Sequence, residues 1–153
     1  MDRSTVPDQP MQGFNVIWVF NPSGNKVLMC KRHKPPYLGL YNLVGGKIEP
    51  GEDGLHAAYR ELREETGITD ITLTHLMDFT YHHKDACHVE VYVGQLQQDI
   101  NVHGDEKELV WLGLHEDFFD MHRFAGEGNI GHIYEIIKQN QQISCIKLFN
   151  AKP

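Results

Sequence analysis

From Gly46 to Ile68 the chain reads GKIEPGEDGLHAAYRELREETGI, and this spacing dictates a tight turn followed by one amphipathic helix. Pro50, Gly51 and Glu52 interrupt any preceding strand, and the Asp53 carboxylate is placed to accept from an orphan N–H of a first helical turn. Leu55, Ala58, Tyr59 and Leu62 recur at i, i+3, i+4 and i+7, which predicts the buried face of a helix running to about Thr66. Gly67 then supplies a left-handed exit. At about 100° per residue, Glu61, Glu64 and Glu65 gather on an adjacent stripe, and the earlier positions of that stripe, Gly54 and Ala57, are small enough to leave room for a ligand.

Three carboxylates so placed repel by a few tenths of a kcal/mol per pair on an exposed helix, so a cation should offset them. Mg2+ takes oxygen ligands in octahedral geometry and commonly bridges one or two carboxylates to substrate phosphates. The plainer alternative is a solvated face on which Arg60 pairs with Glu64 at i, i+4 and Arg63 faces water. The whole pattern decides for metal and catalysis. Gly46, Glu52, Arg60, Glu61, Glu64, Glu65 and Gly67, with aliphatic Leu62 and Ile68, match the Nudix box G-x5-E-x7-R-E-U-x-E-E-x-G-U at every defined position. An accidental match has a probability on the order of 10^-7.

The stretch therefore resembles the Nudix hydrolases, in which Mg2+ or Mn2+ activates water to cleave a nucleoside diphosphate linked to another moiety. The resemblance implies an α/β/α sandwich with a mixed β-sheet between helices. It implies that Glu61, Glu64 and Glu65 are metal ligands, joined by the backbone carbonyl of Gly45 or Gly46, and that Arg60 holds Glu61. Glu52 then supports the loop and helix more than the chemistry. Family members often add an acidic residue from a later loop, a place that Glu106 matches, with Glu108 competing. Lys31 and Arg32, at the end of the apolar run KVLMCKR, match a place where the family often puts a phosphate-holding base; the alternative is an ordinary solvated strand end.

Two segments bear on the substrate. YNLVGGK resembles the stretch of MutT-like enzymes and mammalian oxidised-purine triphosphatases in which an asparagine pairs with a base edge, here Asn42. FAGEGNIGHIYEII resembles the segment supplying a second base-reading asparagine, here Asn129. Both have local alternatives, a backbone-satisfied strand residue for Asn42 and a loop or helix cap for Asn129. ADP-ribose hydrolases commonly carry a proline some fifteen residues past the box, whereas no proline occurs between Pro50 and Pro153. Dinucleoside polyphosphate hydrolases carry a tyrosine beyond the position of Tyr81. The expected substrate is a nucleoside triphosphate, with a purine or oxidised purine such as 8-oxo-dGTP preferred and monophosphate and pyrophosphate as products. Another nucleotide derivative, such as a nucleotide sugar, dinucleoside polyphosphate or capped RNA end, and a non-catalytic nucleotide sensor are the alternatives.

The 153 residues, 41% hydrophobic, suit one domain over 1–153 with a flexible start over 1–12. A net charge of -7 argues against an extended nucleic-acid surface. No apolar run approaches the ~18 residues that span a bilayer, no signal-peptide pattern precedes the first strand, and Cys30, Cys87 and Cys145 form an odd, scattered set. A cytoplasmic enzyme with a small-molecule nucleotide substrate is expected. His82, His83, Cys87 and His88 match no common zinc spacing and read as a hairpin with scattered histidines. Strands are expected at Phe14–Phe20, Lys26–Lys31, Asn42–Val44, Ile71–Tyr81, Cys87–Leu96 and Leu109–Leu112, with a second helix around His132–Lys138. Ile143–Phe149 is open to two readings, a final strand or a tail exchanged in a homodimer.

Overall fold

The computed structural model describes residues 11–82, 86–104 and 108–140. Six strands, β1 (Gln12–Phe20), β2 (Lys26–Lys31), β3 (Tyr41–Leu43), β4 (Thr74–Tyr81), β5 (Cys87–Gln95) and β6 (Glu108–Gly113), form one sheet. Its order is β3-β2-β1-β5-β4, with β6 pairing β2. The sheet is mixed: β1 and β5 run parallel from Gln12 opposite Cys87 to Phe20 opposite Gln95, and the other strand pairs are antiparallel. The NPSGN turn makes the β1–β2 hairpin as expected. Asn21 Oδ1 accepts from the N–H groups of Asn25 and Lys26, at 2.9 Å each, and Gly24 takes φ 71°.

Ile17 to Phe20 are all fully buried, because β1 is covered on both faces. Helix α1 (Gly54–Thr66) lies over the face carrying Ile17, Val19, Leu28, Val44 and Tyr92, and adds Ala58 and Leu62 to that layer. Helix α2 (Asn129–Gln139) covers the other face, where Trp18, Phe20, Met29, Leu43, Val91 and Val93 meet Ile130, Ile133 and Ile137. The result is the α/β/α sandwich. None of the described helices is long and apolar enough to cross a membrane.

The elements differ from expectation in three places. Leu55, expected on the buried face, is 39% exposed while Ala57 is fully buried, and the preceding Gly54 lies against the Glu90 carboxylate. The strand expected from Ile71 begins only at Thr74; Leu73 donates its N–H to Tyr59 Oη at 2.9 Å and so leaves the ladder. β1 already begins at Gln12, inside the stretch expected to be flexible. Residues 1–10 and the Ile143–Phe149 segment lie outside the described residues.

Candidate active site

The turn before α1 is fastened to β1 by main-chain bonds. Ile17 N donates to Val44 O at 2.8 Å, Asn15 N to Gly46 O at 2.8 Å, and Ile48 N to Gly13 O at 2.9 Å. Gly45 and Gly46 permit this closeness: a Cβ on Gly45 would stand 2.2 Å from Asn15 O, and one on Gly46 2.4 Å from Glu61 Oε2. The turn is thus pressed between β1 and α1. On the far side, Asp53 caps α1 by accepting from His56 N at 3.2 Å, and Gly67 ends it at φ 80° with its N–H on Arg63 O.

Arg60 organises the acidic side chains. Nε and Nη2 form a fork on the two oxygens of Glu52, at 2.7 and 2.9 Å, and Nη2 also reaches Lys47 O at 3.0 Å. Nη1 donates to Glu61 Oε1 at 3.0 Å and Glu64 Oε2 at 3.2 Å. Charge-assisted bonds from Arg60, helped by the Glu49 N–H, hold the Glu52 carboxyl down at about 2. Its partner, the guanidinium, is raised above its ordinary value, chiefly by Glu52. Glu61 moves the other way. Burial pushes its carboxyl up, the Arg60 bond opposes this, and the negative charges of Glu65 and Glu64 add to it.

The three box glutamates stand on one side of α1 without converging on a point. Arg60 lies between Glu61 and Glu64, and Glu65 Oε2 accepts from Gly45 N at 3.0 Å. Among the described residues no three His, Cys, Asp or Glu side chains gather closely enough to share a metal ion. The residues nevertheless fit a hard divalent cation: the donors are all oxygens, Gly46 leaves the space that Glu61 uses, and Glu61, Glu64 and Glu65 bring three carboxylates to one side of the helix. Glu61, Glu64, Glu65 and the Gly46 carbonyl, which has a second lone pair beside the one Asn15 N occupies, would hold it.

The other predicted residues have separate surroundings. Lys31 Nζ lies 6.0 Å from the Tyr41 ring centroid, and Arg32 Nε donates to Pro36 O at 2.8 Å, which ties down its own loop. Asn42 Oδ1 accepts from Leu43 N at 2.9 Å, and its side chain points away from Tyr41 and Leu43, as strand alternation requires. Asn129 opens α2 and donates through Nδ2 to Tyr81 Oη. Glu106 lies outside the described residues; Glu108 is exposed, with one oxygen 3.6 Å from His33 Nε2. Of the histidine cluster, His83 is likewise outside, and His88 Nε2 lies 3.5 Å from Glu90 Oε2.

Sequence reasoning passed over several residues here. Asn15 is 1% exposed and accepts from Gly46 N through Oδ1 at 3.2 Å; its signal is a lone polar letter inside the run FNVIWVF. Glu90 fills the room predicted beside Gly54, where a Cβ would meet its Oε1 at 2.0 Å, and accepts from Tyr92 Oη at 2.6 Å. Near Asn129, Tyr37 Oη donates to Glu127, 2.7 and 2.9 Å from its two oxygens, and both residues take positive φ, 66° and 54°. No local spacing announces that pairing.

The NUDIX domain model matches residues 9–129 of the 153. CTP pyrophosphohydrolase of Escherichia coli is 30% identical over 113 residues, which cover 69% of this chain and 80% of that protein. ADP-ribose pyrophosphatase of Methanocaldococcus jannaschii is 46% identical over 44 residues, 29% of this chain, and the match spans only 26% of that relative. Among solved structures, the MutT protein of Methanosarcina mazei superposes with a TM-score of 0.68 at 20% identity, covering 89% of this chain and 99% of that one. That likeness establishes the fold.

Proposed function

We propose, from the premise that this chain belongs to the Nudix family of acid-anhydride hydrolases, that it is a metal-dependent pyrophosphohydrolase of nucleotide derivatives and that its substrate is a nucleoside triphosphate. The observation that carries this reading is the Arg60 hub, which joins Glu52, Glu61 and Glu64 beside a turn of two glycines pressed against the same helix.

Bound Mg2+ or Mn2+ would neutralise charge on the non-bridging phosphate oxygens and make a coordinated water acidic enough to attack. The chain's own residues do the rest. Glu52 fixes Arg60, Arg60 fixes one oxygen each of Glu61 and Glu64, and the glycine turn presents backbone to the same space. Attack by water on phosphorus breaks one P–O–P bridge and releases monophosphate and pyrophosphate. Lys31 and Arg32 are the bases offered to the outer phosphates, and Asn42 and Asn129 are the polar side chains offered to a purine or oxidised purine. A name for the E. coli relative that specifies a triphosphate supports this substrate class; that of the archaeal relative points to ADP-ribose as the rival. The scattered cysteines and acidic charge support a cytoplasmic setting.

The test is release of pyrophosphate and phosphate, with Mg2+, from canonical and oxidised nucleoside triphosphates, nucleotide sugars, ADP-ribose and dinucleoside polyphosphates. Pyrophosphate in equal amount to monophosphate from triphosphates is expected. Cleavage of ADP-ribose with no triphosphate turnover overturns the substrate, and no metal-dependent turnover of any of them overturns the activity.

A further inference from the structure

Asn15 is the one polar side chain of β1 buried beneath α1, on the same side of the strand as Ile17 and Val19. It grips Gly46 at both ends of the residue: its N–H donates to Gly46 O, and its Oδ1 accepts from Gly46 N. Because Oδ1 is committed as an acceptor, the amide orientation is set and Nδ2 can only donate. Nδ2 is buried and has no hydrogen-bond partner among the described residues, a state that ordinarily costs stability. Two carboxylates neighbour the residues that Asn15 pairs with. Oδ1 lies 2.9 Å from the place of a Gly45 Cβ, the Glu61 carboxylate lies against Gly46, and Glu90 is the residue opposite Asn15 in the β1–β5 register.

We propose that Asn15 is a positioning residue of the metal site, holding the Gly46 peptide with Oδ1 while Nδ2 donates to an oxygen of the cation's ligand shell, a Glu61 oxygen or a coordinated water. The inference rests on the proposed metal site and adds to it a donor that the box does not contain. Outer partners of this kind fix the direction of a ligand's lone pairs, and their loss costs about 10–100-fold in metal affinity or activity. If Asn15 only tied the turn, its side-chain NH2 would take no part in the ligand shell and its signals would not follow the cation.

The first measurement uses the unaltered protein. In 15N-labelled full-length chain, the Asn15 side-chain NH2 pair, assigned by its disappearance in Asn15→Ser, is followed as Mg2+ is added. It should shift together with the Gly46 backbone amide, with the same dissociation constant. The second compares Mn2+ affinity, from the electron paramagnetic resonance of free Mn2+, in wild type and Asn15→Ser well below both melting temperatures. About ten-fold weaker binding by the variant is expected. If the Gly46 amide responds to Mg2+ but the Asn15 pair does not move, or if Asn15→Ser binds Mn2+ as wild type does, Asn15 has no part in the ligand shell while the metal site stands. If neither signal responds at saturating Mg2+, the metal site itself is refuted, and the inference with it.

Discussion

Arg60 makes five hydrogen bonds to four residues, and the box is best understood from what those bonds exclude. A lysine has three donors on one point and cannot present a fork to Glu52 while reaching Glu61 and Glu64. Glu52 is ionised in the fold down to about pH 2, whereas unfolded it titrates near 4.5. Its contribution to stability is therefore complete above about 4.5 and is lost as pH falls toward 2. Thermal melts of wild type and Glu52→Gln should differ most above about pH 5 and converge by about pH 2; a gap of the same size at about pH 7 and about pH 3 contradicts this. Glu64 is half exposed and its carboxylate bonds Arg60 at the surface, so Glu64→Gln should leave the melting temperature nearly unchanged. Steady-state assays should nevertheless show turnover lowered at least about 100-fold, because the proposed metal site loses one of its carboxylates. These residues were legible because their separations are set by helix geometry. Asn15 was not, since its partner Gly46 lies 31 positions away and only the sheet brings them together.

At the scale of elements, α1 is delimited by local chemistry. The Asp53 cap and the Gly67 exit stand where the sequence placed them, because both depend on bonds within a few residues. Asp53→Ala removes the acceptor of His56 N and should cost about 1 kcal/mol in urea unfolding, without altering the helix's C-terminal end. Legibility failed where an element's fate depends on a remote layer. Leu55 fits the apolar period of α1, yet the neighbour of that first turn is Glu90 on β5. Ile71 and Leu73 are apolar and buried, but the Tyr59 hydroxyl takes the N–H of Leu73 that a ladder would otherwise use. The same limit applies to the asparagines. Their letters do not show the partners they take in the fold, a local backbone N–H for Asn42 and a tyrosine from β4 for Asn129.

Over the whole molecule, the sheet separates two groups of interacting side chains. One face carries α1 and the acidic turn, and the other carries α2, whose entry loop joins Tyr37 to Glu127 and Asn129 to Tyr81. Under the proposed function, substitution of Asn129 at the start of α2, or of Asn42 on β3, should change which nucleotide is preferred and leave metal dependence alone. Asn42→Ala and Asn129→Ala should each reorder kcat/KM among purine, pyrimidine and oxidised triphosphates by about ten-fold, with the Mg2+ midpoint unmoved. Retention of the wild-type rank order by both variants would refute base reading.

The parallel pairing of Gln12–Phe20 with Cys87–Gln95 has a consequence for biosynthesis. A ribosome releases the apolar first strand well before its long-range mate, and at 5–20 residues per second the interval is roughly four to fifteen seconds. Throughout it, FNVIWVF is a sticky ribbon in search of any complementary edge, including that of a sister nascent chain. Yield in a host should therefore respond to translation speed, temperature and chaperone supply more than to the finished protein's resistance to heat.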